Sequence, residues 1–163
     1  MSDAGVGPHL ARRETGPMNE PPREGQSLIT LTLATTALFV VSSAVAVVVT
    51  AFRPVAAIID LVLFGLGVVV FLAAFLIAVN RSRDVLIGVG GLYFLAGCAP
   101  APVRLRLSGA FAVQVVVALA AASVAPFTAV AFGILVPVLG LGLSGLWGAR
   151  YGTFPPRALP SEE

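Results

Sequence analysis

The chain has 163 residues, of which 58% are hydrophobic and 11% are charged, and its mean hydropathy is +0.98. A soluble domain carries about 25% charged residues on a wetted surface. This composition therefore excludes a soluble globule and predicts a small integral membrane protein whose first partner is the lipid bilayer. One cysteine and one histidine exclude an internal disulfide and a multi-cysteine metal site.

Two polar tails flank the apolar region. Residues 1–27 are rich in Gly, Pro, Glu and Arg and have no apolar periodicity, which predicts a disordered tail. Translation could begin at Met1 or at Met18, because no structure is predicted before Met18. Residues 150–163 form the second polar tail.

Four apolar runs are long enough to cross a hydrocarbon core of ~30 Å as helices. These predicted spans cover residues 28–51, 55–79, 107–125 and 129–149. They define an all-α transmembrane domain, residues 28–149, built as a bundle of four helices. Pro137 lies inside the last run, where it removes a backbone hydrogen bond and predicts a kink near Gly133.

The apolar stretch 85–103 could be a fifth span by hydropathy alone. Its glycines and its two prolines leave only a short helix-competent core, and the arginines argue against a fifth span as well. With four spans, all of the ten arginines except Arg53 lie on one side; with five, they divide equally. The positive-inside rule favours the first arrangement. We therefore predict a re-entrant or interfacial segment at 85–103 between the second and third helices, with both termini cytoplasmic.

Asp60 is the one acidic residue inside a predicted span. A carboxylate at mid-membrane costs about 2.5–3.5 kcal/mol, so an intramembrane acid is a functional hypothesis by default. Here it would be a proton or cation site, or a partner for Arg53. The favoured alternative is structural: about 7–8 Å into its helix, the side chain could reach the interface or take up a proton.

Gln114 lies in the third span at a different depth, so we expect a hydrogen bond between helices rather than a shared site with Asp60. Small residues recur every four positions at Gly140, Ser144 and Gly148. Such a face permits close helix contact. Packing inside the bundle is the favoured interpretation, and a homodimer interface is the alternative.

A basic cluster flanks the interfacial segment and is expected to face anionic lipid. It comprises Arg81, Arg83, Arg104 and Arg106. The segment between them contains the sequence Leu-Ala-Gly-Cys at residues 95–98. With the preceding arginines and apolar run it resembles a lipoprotein signal, but it follows two complete spans. We therefore expect no lipidation. The arginines account for the predicted pI near 9.3, so no nucleic-acid partner is predicted.

The second half of the chain resembles small multi-pass membrane proteins of high-GC Gram-positive bacteria, a group to which no function is attached. The matching segments are residues 90–94, 98–100, 103–104, Gln114, 132–137, 140–143, 147–152 and 154–157. The resemblance implies a bacterial inner membrane and carries over no functional residue.

The sequence shows no nucleophile–base pair, no paired carboxylates and no metal or cofactor motif. We therefore expect a non-enzymatic accessory or scaffold component that acts through helix–helix contacts, as a homo-oligomer or with another membrane protein. The alternative is a small transporter or channel subunit that uses Asp60 and the kink between Gly133 and Pro137, with Gln114 as a further polar candidate.

Overall fold

A computed structural model of the chain describes residues 25–156. The α-helices are α1 (Gln26–Val48), α2 (Arg53–Arg81), α3 (Val89–Phe94), α4 (Ala101–Val124) and α5 (Pro137–Tyr151). Two 3₁₀ helices, Thr50–Phe52 and Ala129–Leu135, precede α2 and α5. Most of the predicted tail 1–27, the alternative start at Met18 and the end of the tail 150–163 lie outside the described residues.

Four segments of the described chain are long and apolar enough to cross a membrane: α1, α2 with its preceding turn, α4, and α5 together with Ala129–Leu135. This confirms the predicted all-α fold with four spans. The spans are uncharged over most of their length, because charged side chains are costly in hydrocarbon, and each helix satisfies its own backbone polar groups, as lipid requires. On α1, threonine hydroxyls bond back to the same helix; Thr32, for example, donates to the Leu28 carbonyl at 2.8 Å.

The stretch between α2 and α4 does not cross the bundle. Its only helix, α3, has six residues, a rise of about 9 Å. The flanking loops are held by the chain after α5: the Leu86 amide donates to the Pro155 carbonyl at 3.0 Å, and the Thr153 amide to the Cys98 carbonyl at 3.0 Å. The end of α2, the start of α4 and the end of α5 therefore lie at one end of the bundle, here called the basic end.

The third span begins earlier than predicted, at Ala101 instead of 107. The prediction treated Pro100 and Pro102 as breaks, but Pro100 is the N-cap of α4 and Pro102 lies in its first turn. Proline fits there because the first turn has no intrahelical acceptor for its missing N–H. Arg104 and Arg106 are consequently part of α4.

The predicted kink at Pro137 takes a different form in the structure. Residues Ala129–Leu135 are a 3₁₀ helix, and Pro137 begins α5 instead of interrupting an α-helix. The Gly133 carbonyl, which the prediction left without its bond, accepts from the Val136 amide at 3.1 Å. The span thus changes helix type at the proline.

Backbone contact at glycines joins α2 to α5. A Cβ added at Gly67 would lie 2.6 Å from the Leu139 amide nitrogen, and one at Gly142 would lie 3.0 Å from the Gly67 carbonyl oxygen. Only glycine permits helices to approach this closely. As a result α5 is the most enclosed span, packed against α2, α3 and α4.

The small face of α5 is used inside the bundle. Gly140, Ser144 and Gly148 are all buried; a Cβ at Gly140 would meet the Gln114 side chain, and one at Gly148 the Leu92 carbonyl. The packing interpretation of these residues is confirmed for this chain, and they are not available for a homodimer interface.

We expect Gly67→Ala to lower the free energy of unfolding by about 1–3 kcal/mol, because the new methyl group must displace the backbone of α5. Gly65→Ala is the matched control, since a Cβ there has nothing within 4 Å. This change should raise stability by about 1 kcal/mol or less, because alanine is a better helix former than glycine. Thermal unfolding in detergent compares the two. Equal effects would contradict the close contact.

Candidate functional site

The two candidate polar residues inside the spans, Gln114 and Asp60, lie at different levels, and charged side chains gather at the basic end.

Gln114 forms the deeper level. It is fully buried, and its Nε2 donates to the Thr36 hydroxyl of α1 at 2.7 Å. Thr36 in turn donates to the Thr32 carbonyl at 2.7 Å. The expected hydrogen bond between helices is therefore present, and it joins α4 to α1 in the middle of the bundle. The amide oxygen of Gln114, Oε1, faces Gly140 and has no hydrogen-bond partner.

Asp60 lies nearer the opposite end, about 10 Å along α2 from Arg53. Its side chain is 2% exposed, and Oδ1 has no hydrogen-bond partner. It faces the 3₁₀ helix: a Cβ added at Gly133 would lie 3.4 Å from Asp60 Oδ2 and 3.2 Å from the Phe39 ring. The structural interpretation allowed the side chain either to reach the interface or to take up a proton; its burial inside the bundle does not agree with the first of these. Arg53 is not its partner either, because the Arg53 Nε donates to the Ala46 carbonyl at 3.3 Å.

An apolar layer separates these two levels. Phe39, Leu63, Val136 and Leu139 belong to one buried cluster, and Val136 and Leu139 lie between Gly133 and Gly140 along the fourth span. Asp60 and Gln114 consequently do not share a site, as the sequence predicted. Because of this layer, no polar path among the described residues joins Asp60 to Gln114. The arrangement of these two residues therefore gives no support to the channel alternative.

At the basic end, Arg81 was predicted to face anionic lipid, but its guanidinium instead contacts the end of α5. Its two terminal nitrogens donate to the Ala149 carbonyl at 3.0 Å and to the Gly152 carbonyl at 2.9 Å, and its guanidinium lies 5.7 Å from the centre of the Phe154 ring. The last carbonyls of a helix lack intrahelical donors and attract positive charge. Arg81 therefore caps the C-terminal end of α5. The other three arginines of the cluster are exposed: Arg83, Arg104 and Arg106.

Cys98 is buried beside this contact. Its thiol donates to the Gly91 carbonyl at 2.9 Å. Burial raises the pKa of the Cys98 thiol, against smaller opposing effects of a backbone hydrogen bond and of the Arg81 charge. A buried thiol with a raised pKa is a poor nucleophile, so Cys98 has the character of a packing residue.

Several cavities adjoin the bundle surface, and two of them are relevant to function. One of about 580 Å³ lies at the basic end and is lined by Cys98, Trp147, Arg150 and Tyr151 among others. No group of three or more His, Cys, Asp or Glu side chains that could hold a metal ion occurs within residues 25–156.

The other cavity is an apolar groove of about 380 Å³ between α1 and α4, which we call the α1–α4 groove. Its lining consists of small and β-branched side chains: Val40, Ser43, Ala44, Val47, Val117, Ala120, Ala121 and Val124. Sequence reasoning missed this groove. The alanine run near residue 120 was a signal, but only the packing of α1 beside α4 shows that these alanines adjoin Ala44.

No protein-family model, curated protein or solved structure matches this chain. The fold and the site geometry are therefore the basis for any functional conclusion. They define an integral membrane protein with four apolar helices.

We expect Arg81→Lys to lower the free energy of unfolding by about 1–2 kcal/mol, because lysine cannot donate to both carbonyls in the fixed geometry of a guanidinium. Arg83→Lys makes the same chemical change at an exposed position and should leave stability unchanged. Melting temperatures of the two variants in detergent provide the comparison. A similar loss in both variants would show that the contact of Arg81 with α5 makes no specific contribution to stability.

Proposed function

We propose that this protein is a non-enzymatic accessory or scaffold component of a bacterial cell membrane that binds an apolar transmembrane helix of a partner in the α1–α4 groove. The observation that carries the proposal is the groove itself. It is apolar, half of its eight lining side chains are Ala or Ser and the other half are Val, and it lies between two helices that span the bundle.

Helix association in lipid depends on close approach, because lipid tails are as apolar as the side chains they would replace. A surface with small residues lets a partner backbone come near, whereas a surface of large side chains offers only what lipid already provides. Ala44 and Ala120 lie on the two walls of the groove, and both are exposed. A ridge of branched side chains on a partner helix would fit between them.

The rest of the bundle supports this choice of surface. Gly67 of α2 and Gly142 of α5 are taken up by their mutual contact, and the amide nitrogen of Gln114 is bonded within the bundle to Thr36. The groove differs from the isolated, exposed Gly65 because it has small residues on two facing helices.

A photoreactive benzoyl-phenylalanine placed at Ala44 or at Ala120 should form discrete protein adducts in intact cells. The same residue at Ala37 or Ala112, exposed on the same two helices but outside the groove, should not. Mass spectrometry of the adduct identifies the partner as a second copy or as another membrane protein. Ala120→Trp, which fills the groove, should suppress the adduct formed from position 44. Equal yields at all four positions, or no adducts, would end the proposal.

The orientation belongs to the same proposal. The basic end carries Arg81, Arg83, Arg104, Arg106 and Arg150, and the other end of the bundle has Arg53. The positive-inside rule therefore supports a cytoplasmic basic end. The first residue described, Gly25, adjoins Trp147 and Tyr151, so both ends of the described chain would be cytoplasmic.

Introduced cysteines test this orientation, since Cys98 is too buried to serve as a reporter. In a Cys98→Ala background, Ala96→Cys places a thiol at the basic end and Phe127→Cys at the opposite end; both positions are exposed. A membrane-impermeant maleimide should label position 127 in intact cells, and position 96 only after the membrane is opened. The reverse pattern would invert the orientation.

A further inference from the structure

The proposed function makes no use of Asp60, which is the least accessible ionisable group in the spans. Its side chain is 2% exposed, and Oδ1 receives no hydrogen bond. The neighbouring side chains are apolar. The Phe39 ring and the Asp60 carboxyl both lie against Gly133, and Leu63 lies one turn further along α2.

Among residues 25–156, no charge compensates this carboxyl. α1 and the 3₁₀ helix Ala129–Leu135 contain no titratable residue. On α2 the nearest charge is Arg53, whose Nε donates to the Ala46 carbonyl. The arginines of α4, and Arg150 and Tyr151 of α5, lie at the basic end. A buried charge that lacks both an ion-pair partner and a hydrogen-bond donor strongly favours its neutral form.

We propose that Asp60 is a proton-binding site, held as a neutral carboxylic acid against the 3₁₀ helix, and that loss of its proton loosens this helix from α2. The ligand is a proton and not a metal cation, because a cation in such a site needs several oxygen ligands. Among the described residues, no further carboxylate joins Asp60.

The 3₁₀ helix is the element that would respond. Its hydrogen bonds have poorer geometry than those of an α-helix, and seven residues is long for this conformation. Gly133 brings its backbone against the carboxyl without an intervening side chain. An ionised carboxylate would draw water to this contact, and the 3₁₀ helix would give way before the α-helices, whose hydrogen bonds are better aligned.

The protonation state can be tested with carbodiimides in native membranes. Dicyclohexylcarbodiimide, which partitions into lipid, adds to a protonated carboxyl and rearranges to a stable N-acylurea with no leaving group. It should label Asp60, and the adduct should be lost in Asp60→Asn. A water-soluble carbodiimide should label Asp84, which is exposed at the basic end, and spare Asp60. Failure of the apolar reagent to label Asp60, or equal labelling of both acids by the soluble reagent, would overturn the proposal.

Hydrogen exchange tests the coupling to the 3₁₀ helix. Raising the pH should reduce the protection of the amides of residues 129–135 more in the wild-type protein than in Asp60→Asn. Comparing the two proteins at the same pH removes the intrinsic pH dependence of exchange. Residues 137–151 should change equally in both proteins. Identical protection of residues 129–135 in the two proteins at every pH would refute the coupling. The melting temperature of Asp60→Asn, expected at or above that of the wild type, shows that the variant is folded.

Discussion

The backbone contact between α2 and α5 is the constraint on which the other features of the bundle depend. Gly67 and Gly142 let the two helices approach until a single added methyl group would collide with the opposite backbone. This approach places α5 in the middle of the bundle. It also brings the preceding 3₁₀ helix against α2, where Gly133 meets Asp60. Further along α5, Gly145 accommodates the Tyr93 ring, which stacks on Phe71 at 4.6 Å. Because lipid provides no hydrophobic force between helices, such close packing is a main source of association.

Arg81 shows how one residue can meet two requirements of a membrane protein. Its charge belongs to the set that biases topology, and its guanidinium also satisfies two carbonyls at the end of α5. A lysine would satisfy the first requirement and fail the second. The exposed arginines Arg83, Arg104 and Arg106 remain free to interact with anionic lipid at the same end, where each basic residue contributes about 1 kcal/mol.

The two buried polar residues of the spans, Gln114 and Asp60, have different roles. Gln114 has a donor bond to Thr36, and together they fix α4 against α1; this is a structural use of polarity. Asp60 has no such bond on Oδ1 and lies against the least regular part of the spans. The Oε1 of Gln114 is also unpaired, but it is a neutral amide oxygen, whereas an ionised Asp60 would place an unpaired charge in the interior, which costs far more. This contrast is the reason for proposing that Asp60 binds a proton, whereas binding of a partner helix is proposed for the α1–α4 groove.

The sequence by itself determined the class of protein, the number of spans and the hydrogen-bonding role of Gln114, because these follow from apolar length and from the cost of polar groups in lipid. It also indicated that Pro137 disturbs the last span. The positions of Pro100 and Pro137 at helix starts, the contact of Asp60 with Gly133 and the contact of Arg81 with α5 came only from the tertiary structure. Each depends on which residues distant in the chain meet. Apolar periodicity cannot show this when a helix is hydrophobic on every face, since any face could then be the one that packs.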